Sequence, residues 1–378
     1  MTHKKVIVLS AGGTGGHLFP AEALAVELRE RGYDVHLMTD KRAKRFIRHF
    51  DEKHIHVISS ATFVRRHPFA LIKTFWYLLK GMFQSWMLFY KLQPVLVGGF
   101  GGYPTFPPLL VATLIGYKTF IHEQNAVMGR ANRLLASRVN AIAGGLLSAN
   151  SVYAHKTFIT GNPVRKAILQ AAKIPYCPSI GEQPFHFLVF GGSQGAAFFS
   201  QVVPGAVTLL DQSIRKRLRI VQQVYDETID LMKIYHDMGV QAEVARFFDN
   251  IAEHIAQSHF IMSRAGASTV CEIAVIGRPA LFIPYPYALD HDQAENAAKL
   301  SEIGGAQIIV EKNLDTQRLA SLLTKVCCEP HLLEKQALSA KKVGQPYATV
   351  ILANMVEALI LERSLLDIKK ELFDENAA

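Results

Sequence analysis

The residues whose types and spacing could do chemistry sit first in two short glycine loops. These are Gly12-Gly13-Thr14-Gly15-Gly16-His17 near the start and Gly191-Gly192-Ser193-Gln194-Gly195 about halfway along. Each follows a β-branched or aromatic run, Val6 to Leu9 and Phe187 to Phe190, and each leads into a helix-like segment. Glycines at a strand-to-helix turn let the backbone bend without Cβ clashes. They also aim free N–H groups, with the positive end of a helix dipole, at a bound anion. Two such loops, one opening each half, imply two similar α/β domains facing each other across a cleft that takes a phosphorylated ligand. A dinucleotide fingerprint is excluded by spacing: GxGxxG would need glycine where Leu18 and Pro104 stand. No Lys-Ser or Lys-Thr closes a loop, so a P-loop is excluded as well.

The elements that must position these loops follow a βαβ rhythm. Helical spacing runs from Pro20 to Arg31, with Ala21, Leu24, Ala25 and Leu28 on one face and Gly32 as a stop. Strands are expected at Val35 to Met38, Ile55 to Ile58, Pro94 to Val97, Thr119 to Ile121 and Ala141 to Ala143. Gly161-Asn162-Pro163 reads as a hinge, and the segment from Ala172 to Pro184 as an irregular connector. The pattern then restarts, with strands near Ile220 to Val224, Gln241 to Val244, Phe260 to Ser263, Ala280 to Ile283 and Ala306 to Ile309. Gln345-Pro346 interrupts the last helical region, a crossover that would return the chain to the first domain. Alternating strands and helices imply parallel sheets with ligands at the carboxyl ends of their strands.

A chain of 378 residues favours two domains, at roughly 150 residues each. Its 49% apolar and 19% charged content is that of an ordered globular protein, and its net charge of +9 favours an acidic partner. Cys177, Cys271, Cys327 and Cys328 have neither metal-ligand spacing nor disulfide logic, which fits a reducing compartment. The apolar run Val6 to Leu9 is too short for a cleavable signal. Asp290, His291 and Asp292 are consecutive and point different ways, so they read as a solvated loop and no metal site is expected.

The segment from Phe69 to Leu92 is apolar and aromatic, but Lys73, Lys80 and Lys91 argue against a membrane span. A helix lying in a membrane interface accounts for aromatics and flanking basic residues together, with Ile72, Phe75, Trp76, Leu79, Phe83 and Trp86 as its contacts. A buried helix pair broken at Gly81 is the alternative.

The series GGTGGH at 12 to 17, GGYP at 101 to 104, HEQN at 122 to 125, GNPVR at 161 to 165, GGSQGA at 191 to 196 and RAGASTVCE at 264 to 272 closely resembles the MurG family of bacterial glycosyltransferases. Members add N-acetylglucosamine to undecaprenyl-diphosphate-linked N-acetylmuramyl pentapeptide. The resemblance implies an α/β chain of GT-B type, two Rossmann-like domains with parallel sheets. Residues 1–161 plus 345–378 would bind acceptor and membrane, and 162–344 the UDP-sugar donor. It further implies peripheral attachment to the cytoplasmic face of the inner membrane, an anionic lipid surface, and cell-wall or division proteins as partners. No nucleic acid and no tightly bound cofactor are expected, and dependence on divalent ions is left open.

Residue by residue, the resemblance gives Glu272 the ribose hydroxyls, and Ser193 and Arg165 the donor diphosphate. Ala267 and Ser268 would make backbone contacts to the donor sugar, with Thr269, Val270 and Cys271 also on the donor side. Main-chain groups at Phe248 would read the uracil edge, while Asn125, Gln293 and Asn296 offer amides to sugar hydroxyls. Thr14, Gly15 and Gly16 would meet a diphosphate, of acceptor or donor. Gly13, Gly102, Tyr103 and Asn132 would shape the acceptor side. An inverting displacement needs a base for the acceptor hydroxyl. His17 is the first candidate, because an imidazole titrates near neutrality, and donation to the acceptor phosphate is its rival role. Glu123 is a lesser candidate base, or else a structural carboxylate paired with His122 or Arg130. A related UDP-sugar glycolipid glycosyltransferase and a non-catalytic nucleotide-sugar binding module stay open as alternatives.

Overall fold

The computed structural model describes residues 4–13, 15–43, 47, 50–60, 68–148, 152–191, 197–225, 230–288, 292–364 and 367. The chain divides into two compact units, Met1–Arg165 with Pro346–Ala378, and Lys166–Gln345.

The strands of the first unit are β1 (Val6–Ser10), β2 (Asp34–Thr39), β3 (Ile55–Val57), β4 (Leu96–Gly99), β5 (Lys118–Glu123), β6 (Ala141–Gly144) and β7 (Thr157–Ile159). They form one sheet in the order β3-β2-β1-β4-β5-β6-β7, and every pairing is parallel. Side chains alternate across a strand, so consecutive apolar residues serve two cores. Ile7, Leu9, Val35 and Leu37 pack with Leu24 and Leu28 of helix Gly15–Glu30 and with Leu352 and Met355 of helix Ala348–Ile360. Val8, Met38, Val97 and Ile121 pack with Phe89 and Leu109 on the opposite face. The guanidinium of Arg31 donates to Asn354 and Glu357, tying the last helix to the first.

The second unit holds β8 (Phe185–Phe190), β9 (Leu218–Gln223), β10 (Gln241–Ala245), β11 (Phe260–Ser263), β12 (Ala280–Phe282) and β13 (Ala306–Ile308). Their order is β10-β9-β8-β11-β12-β13, again all parallel. Both sheets therefore reverse strand order beside their first strand, between β1 and β4 and between β8 and β11. The crevice beyond the carboxyl ends at such a reversal is where doubly wound sheets bind ligands.

The first helix starts at Gly15 rather than Pro20. Proline lacks an N–H, which removes the bond to Gly16 while the helix continues through it. Strand β4 runs to Gly99 and not from Pro94 to Val97, since the Phe120 ring fills the place where a Cβ of Gly98 would stand. Helix Pro68–Leu92 is continuous through Gly81, so the broken pair is not formed. A Cβ at Gly81 would strike the Ser59 carbonyl oxygen, and glycine there lets the helix approach the segment after β3. Thr74, Ser85 and Phe89 share the buried face, whereas Trp76 and Tyr90 are 66% and 75% exposed.

Among the described residues one stretch, Pro330–Ile360, is long and apolar enough to cross a membrane by length and composition. It is two helices, Pro330–Val343 and Ala348–Ile360, which belong to different units. Leu333 and Ala337 on the first, and Leu352 and Met355 on the second, are buried in protein.

Candidate active site

In the first unit the turns after β1 and β4 pack against each other at the reversal point. A Cβ at Gly12 would run into the Pro104 ring, and one at Gly102 into the Gly12 carbonyl oxygen. Gly13, Gly101 and Gly102 have φ of 86°, 90° and 78°, a region that side chains disfavour. The Thr105 hydroxyl donates to Gly101 (2.7 Å) and sits against the Ser10 carbonyl (3.1 Å), fixing the second turn to the end of β1. The Gly13 N–H donates to Asp40 (3.3 Å), whose carboxylate also holds Ala43 N–H (3.1 Å). Gly15 and Gly16 open the helix, at the end where backbone N–H groups have no partner within it. Thr14 lies outside the described residues.

His17 stands on the first turn of that helix, half-buried, against the bare Cα atoms of Gly101 and Gly102. Its Nδ1 is 3.0 Å from Gln124 Oε1. The Gln124 Nε2 donates to the Phe100 carbonyl (3.0 Å) and to Nδ1 of His122 (3.1 Å). His122 Nε2 in turn donates to the Gly161 carbonyl (3.1 Å). Burial pushes the His122 imidazole down to about 4, so it is neutral at pH 7 with its proton on Nε2. Two carbonyls and a neutral ring thus orient one amide, and an amide oxygen can only accept. In a neutral His17 ring this contact selects the tautomer with the proton on Nδ1 and the lone pair on Nε2. An imidazole held this way can take a proton at Nε2.

Glu123 faces the other way. Its Oε1 accepts from the N–H and Nδ2 of Asn125 (both 3.1 Å), and its Oε2 from Gly129 N–H (2.9 Å) and Asn132 Nδ2 (2.8 Å). The carboxylate is 1% exposed and binds the loop that follows β5, not the His122 ring. Asn132 Nδ2 also meets the His122 carbonyl (3.2 Å). Tyr103 begins a short 3-10 turn at the end of β4. Arg165 lays its guanidinium 5.1 Å over the Phe19 ring, which brings it to the helix that carries His17. The sequence places Gln124 and His122 in the HEQN motif, and His122 only as a partner of Glu123, but does not reveal the link of both to His17. Both are two apart at a strand end, a spacing that places them on one face.

In the second unit the turn after β11, Arg264 to Gly266, leads into helix Ala267–Ile276. Gly266 caps it without a side-chain bond, and the Ser268 hydroxyl is buried with no hydrogen-bond partner. Thr269 and Cys271 are half-buried, and Val270 and Glu272 are buried on the same helix. Gln293 Oε1 accepts from the N–H groups of Ala265 (3.1 Å) and Tyr285 (2.9 Å). Asn296 Nδ2 donates to the Ala265 carbonyl (3.2 Å). One helix, Asp292–Glu302, thereby stitches the turns after β11 and β12. Arg264 donates to the Ile283 carbonyl (3.2 Å) and pairs with Glu311. Gln223 accepts from Gly191 N–H (3.0 Å) and donates to the Arg246 carbonyl (2.9 Å), which ties the chain before Phe248 to Gly191 at the end of β8. The Phe248 ring is buried against His254. Ser193, Asp290 and His291 lie outside the described residues.

Residues 7–144 match the glycosyltransferase family 28 N-terminal domain, and residues 186–349 match the family 28 C-terminal domain. The chain belongs to glycosyltransferase family 28. A family 28 relative from Bartonella bacilliformis is 76% identical over 376 residues, covering 100% of both chains. One from Brucella canis is 55% identical over 372 residues, covering 98% of each. Both are named UDP-N-acetylglucosamine–N-acetylmuramyl-(pentapeptide) pyrophosphoryl-undecaprenol N-acetylglucosamine transferase. The crystal structure of Acinetobacter baumannii MurG superposes with a TM-score of 0.74 at 28% identity, covering 94% of this chain and 99% of that one. The two doubly wound units are accordingly those of the GT-B glycosyltransferase fold, and the family 28 matches divide between them.

Proposed function

We propose that this chain is an inverting glycosyltransferase that moves N-acetylglucosamine from its UDP donor to an undecaprenyl-diphosphate-linked N-acetylmuramyl pentapeptide. The full-length relatives named for this transfer support the substrates. The observation that carries the chemistry is the His17–Gln124 pair, which engages Nδ1 and leaves Nε2 for proton transfer at the reversal point of the first sheet. The acceptor hydroxyl oxygen attacks the anomeric carbon while the bond from that carbon to the UDP oxygen breaks. The hydroxyl proton passes to His17 Nε2, and UDP leaves with the bonding electron pair. The step balances without a cofactor.

The first unit takes the acceptor, its diphosphate lying on the N–H groups at Gly15 and Gly16, and Arg165, over the Phe19 ring of the same helix, is a cation for the donor diphosphate. The second unit takes the donor. Glu272 accepts from the ribose hydroxyls, the Ser268 hydroxyl and the first N–H groups of its helix bind phosphate, and the chain at Phe248 reads uracil. Gln293 and Asn296 hold the donor loop, and the Nε2 group of Gln293, unused among the described residues, is a donor for a sugar hydroxyl.

The enzyme works at the cytoplasmic face of the inner membrane, attached through helix Pro68–Leu92. Ile72, Phe75, Trp76, Leu79, Phe83 and Trp86 form an exposed apolar strip there, beside exposed Lys73 and Lys80. Leu114 and Ile115, at the end of helix Phe106–Ile115, are exposed as well. Apolar surface rimmed by lysines suits an anionic lipid interface. A donor panel tests the assignment. Transfer to a short-chain lipid-diphosphate acceptor is expected with UDP-N-acetylglucosamine and not with UDP-glucose or UDP-galactose. Equal transfer from all three, or none from any, would overturn it.

A further inference from the structure

We propose a divalent transition-metal site, of zinc type, built from Asp34, His36 and His54 at the outer edge of the first sheet. The parallel register pairs Leu37 with Ile55, which sets His36 beside His54 across the β2–β3 pair. Asp34 precedes His36 by two residues on one strand, so their side chains share a face. Together the three offer ligand atoms that all lie within 4.8 Å of one another. Asp34 Oδ2 is 3.4 Å from His36 Nε2, and Asp34 Oδ1 is 3.2 Å from His54 Nε2. Zinc bonds of about 2.0–2.1 Å in a tetrahedron put neighbouring ligands roughly 3.3 Å apart. The cluster sits at the amino end of β2, whereas Asp40, just past its carboxyl end, touches the glycine loop. The two sites thus lie at opposite ends of the strand.

The second nitrogens suit a pair of metal-bound imidazoles. His54 Nδ1 is buried without a hydrogen-bond partner. It faces Asp51 Oδ2 at 3.7 Å, so with a metal on Nε2 the Nδ1 proton lies toward a carboxylate, at ion-pair rather than hydrogen-bond distance. His36 is served in the same way: its Nδ1 is 2.9 Å from His56 Nε2, which accepts once His36 Nε2 is a ligand. A carboxylate or other acceptor behind each ligating imidazole is the usual arrangement of metal-bound histidines.

The test uses the untagged full chain, stripped with a chelator and titrated with Co2+ and then Zn2+. One equivalent of Co2+ is expected to give the visible absorption of a tetrahedral site, and Zn2+ to bleach it. His54→Gln and Asp34→Asn, with circular dichroism unchanged, are expected to bind at least about 100-fold more weakly. His56→Ala, which removes only the acceptor behind His36, is expected to bind about 10–100-fold more weakly. Should the first two variants fail to fold, His56→Ala decides alone. No tetrahedral band in the wild-type chain, or the same band and affinity in the variants that fold, would overturn the site.

Discussion

Nδ1 of His17 and Oε1 of Gln124, 107 residues apart in the chain, lie 3.0 Å from each other. Because Gln124 Nε2 is committed to the Phe100 carbonyl and His122, its oxygen has one task, to accept the proton of His17. With His17 as the proposed base, Gln124 is a positioning residue, and its removal leaves the imidazole in place but free to rotate and to change tautomer. Gln124→Met is expected to lower kcat about 100-fold with the donor KM nearly unchanged, and His17→Ala by about 10²–10⁴-fold. Steady-state kinetics check both. A Gln124→Met enzyme that loses stability and keeps its kcat would make the pair merely structural.

Four N–H groups already occupy the Glu123 carboxylate, so it is expected to hold a loop and to take no proton. Glu123→Gln presents an amide to donors that need acceptors, at a cost of about 1–3 kcal/mol for each one left unsatisfied. Denaturant unfolding should show this loss, with kcat of the folded enzyme falling by less than about tenfold. A fall of about 100-fold at unchanged stability would make Glu123 the base.

His122 gives the pH dependence a sign. Its folded value, about 4, lies below the 6.5 of an ordinary imidazole, so the unfolded chain binds the extra proton between those values. The contribution is present in full above about pH 6.5 and is lost as the pH falls toward 4. The shift amounts to something on the order of 3 kcal/mol. His122→Phe keeps a ring against Phe100 and removes the titration. Its unfolding free energy should depend less steeply on pH across this window than that of the wild-type chain, and equal slopes would count against the assignment.

Much of this is legible in the sequence. The strand-loop-helix starts at Val6 and Phe187 mark both reversal points, since β-branched runs followed by glycines have few other uses. Strand β7, Thr157–Ile159, escaped notice because three residues carry no periodicity. The Gly98-Gly99 end of β4 escaped because glycine looks unlike a strand until Phe120 is seen to need the space. The His17–Gln124 and His36–His54 meetings depend on strand order and register, which local spacing does not encode.

The exposed face of helix Pro68–Leu92 yields a prediction of its own. Each large apolar side chain withdrawn from water contributes about 1.5–3 kcal/mol. Phe75→Ser with Trp86→Ser is therefore expected to weaken binding to anionic vesicles by at least about tenfold in a sedimentation assay. Undiminished sedimentation of the double variant would remove this helix as the attachment.

The central claim is transfer with inversion to a lipid-linked hydroxyl, and product analysis tests it most directly. The chain is incubated with UDP-N-acetylglucosamine and a short-chain N-acetylmuramyl-pentapeptide diphosphate lipid, and the products are followed by nuclear magnetic resonance. One disaccharide of anomeric configuration opposite to that of the donor is expected for each UDP released. UDP released with free sugar and no disaccharide, or a disaccharide that keeps the donor's configuration, would contradict the account.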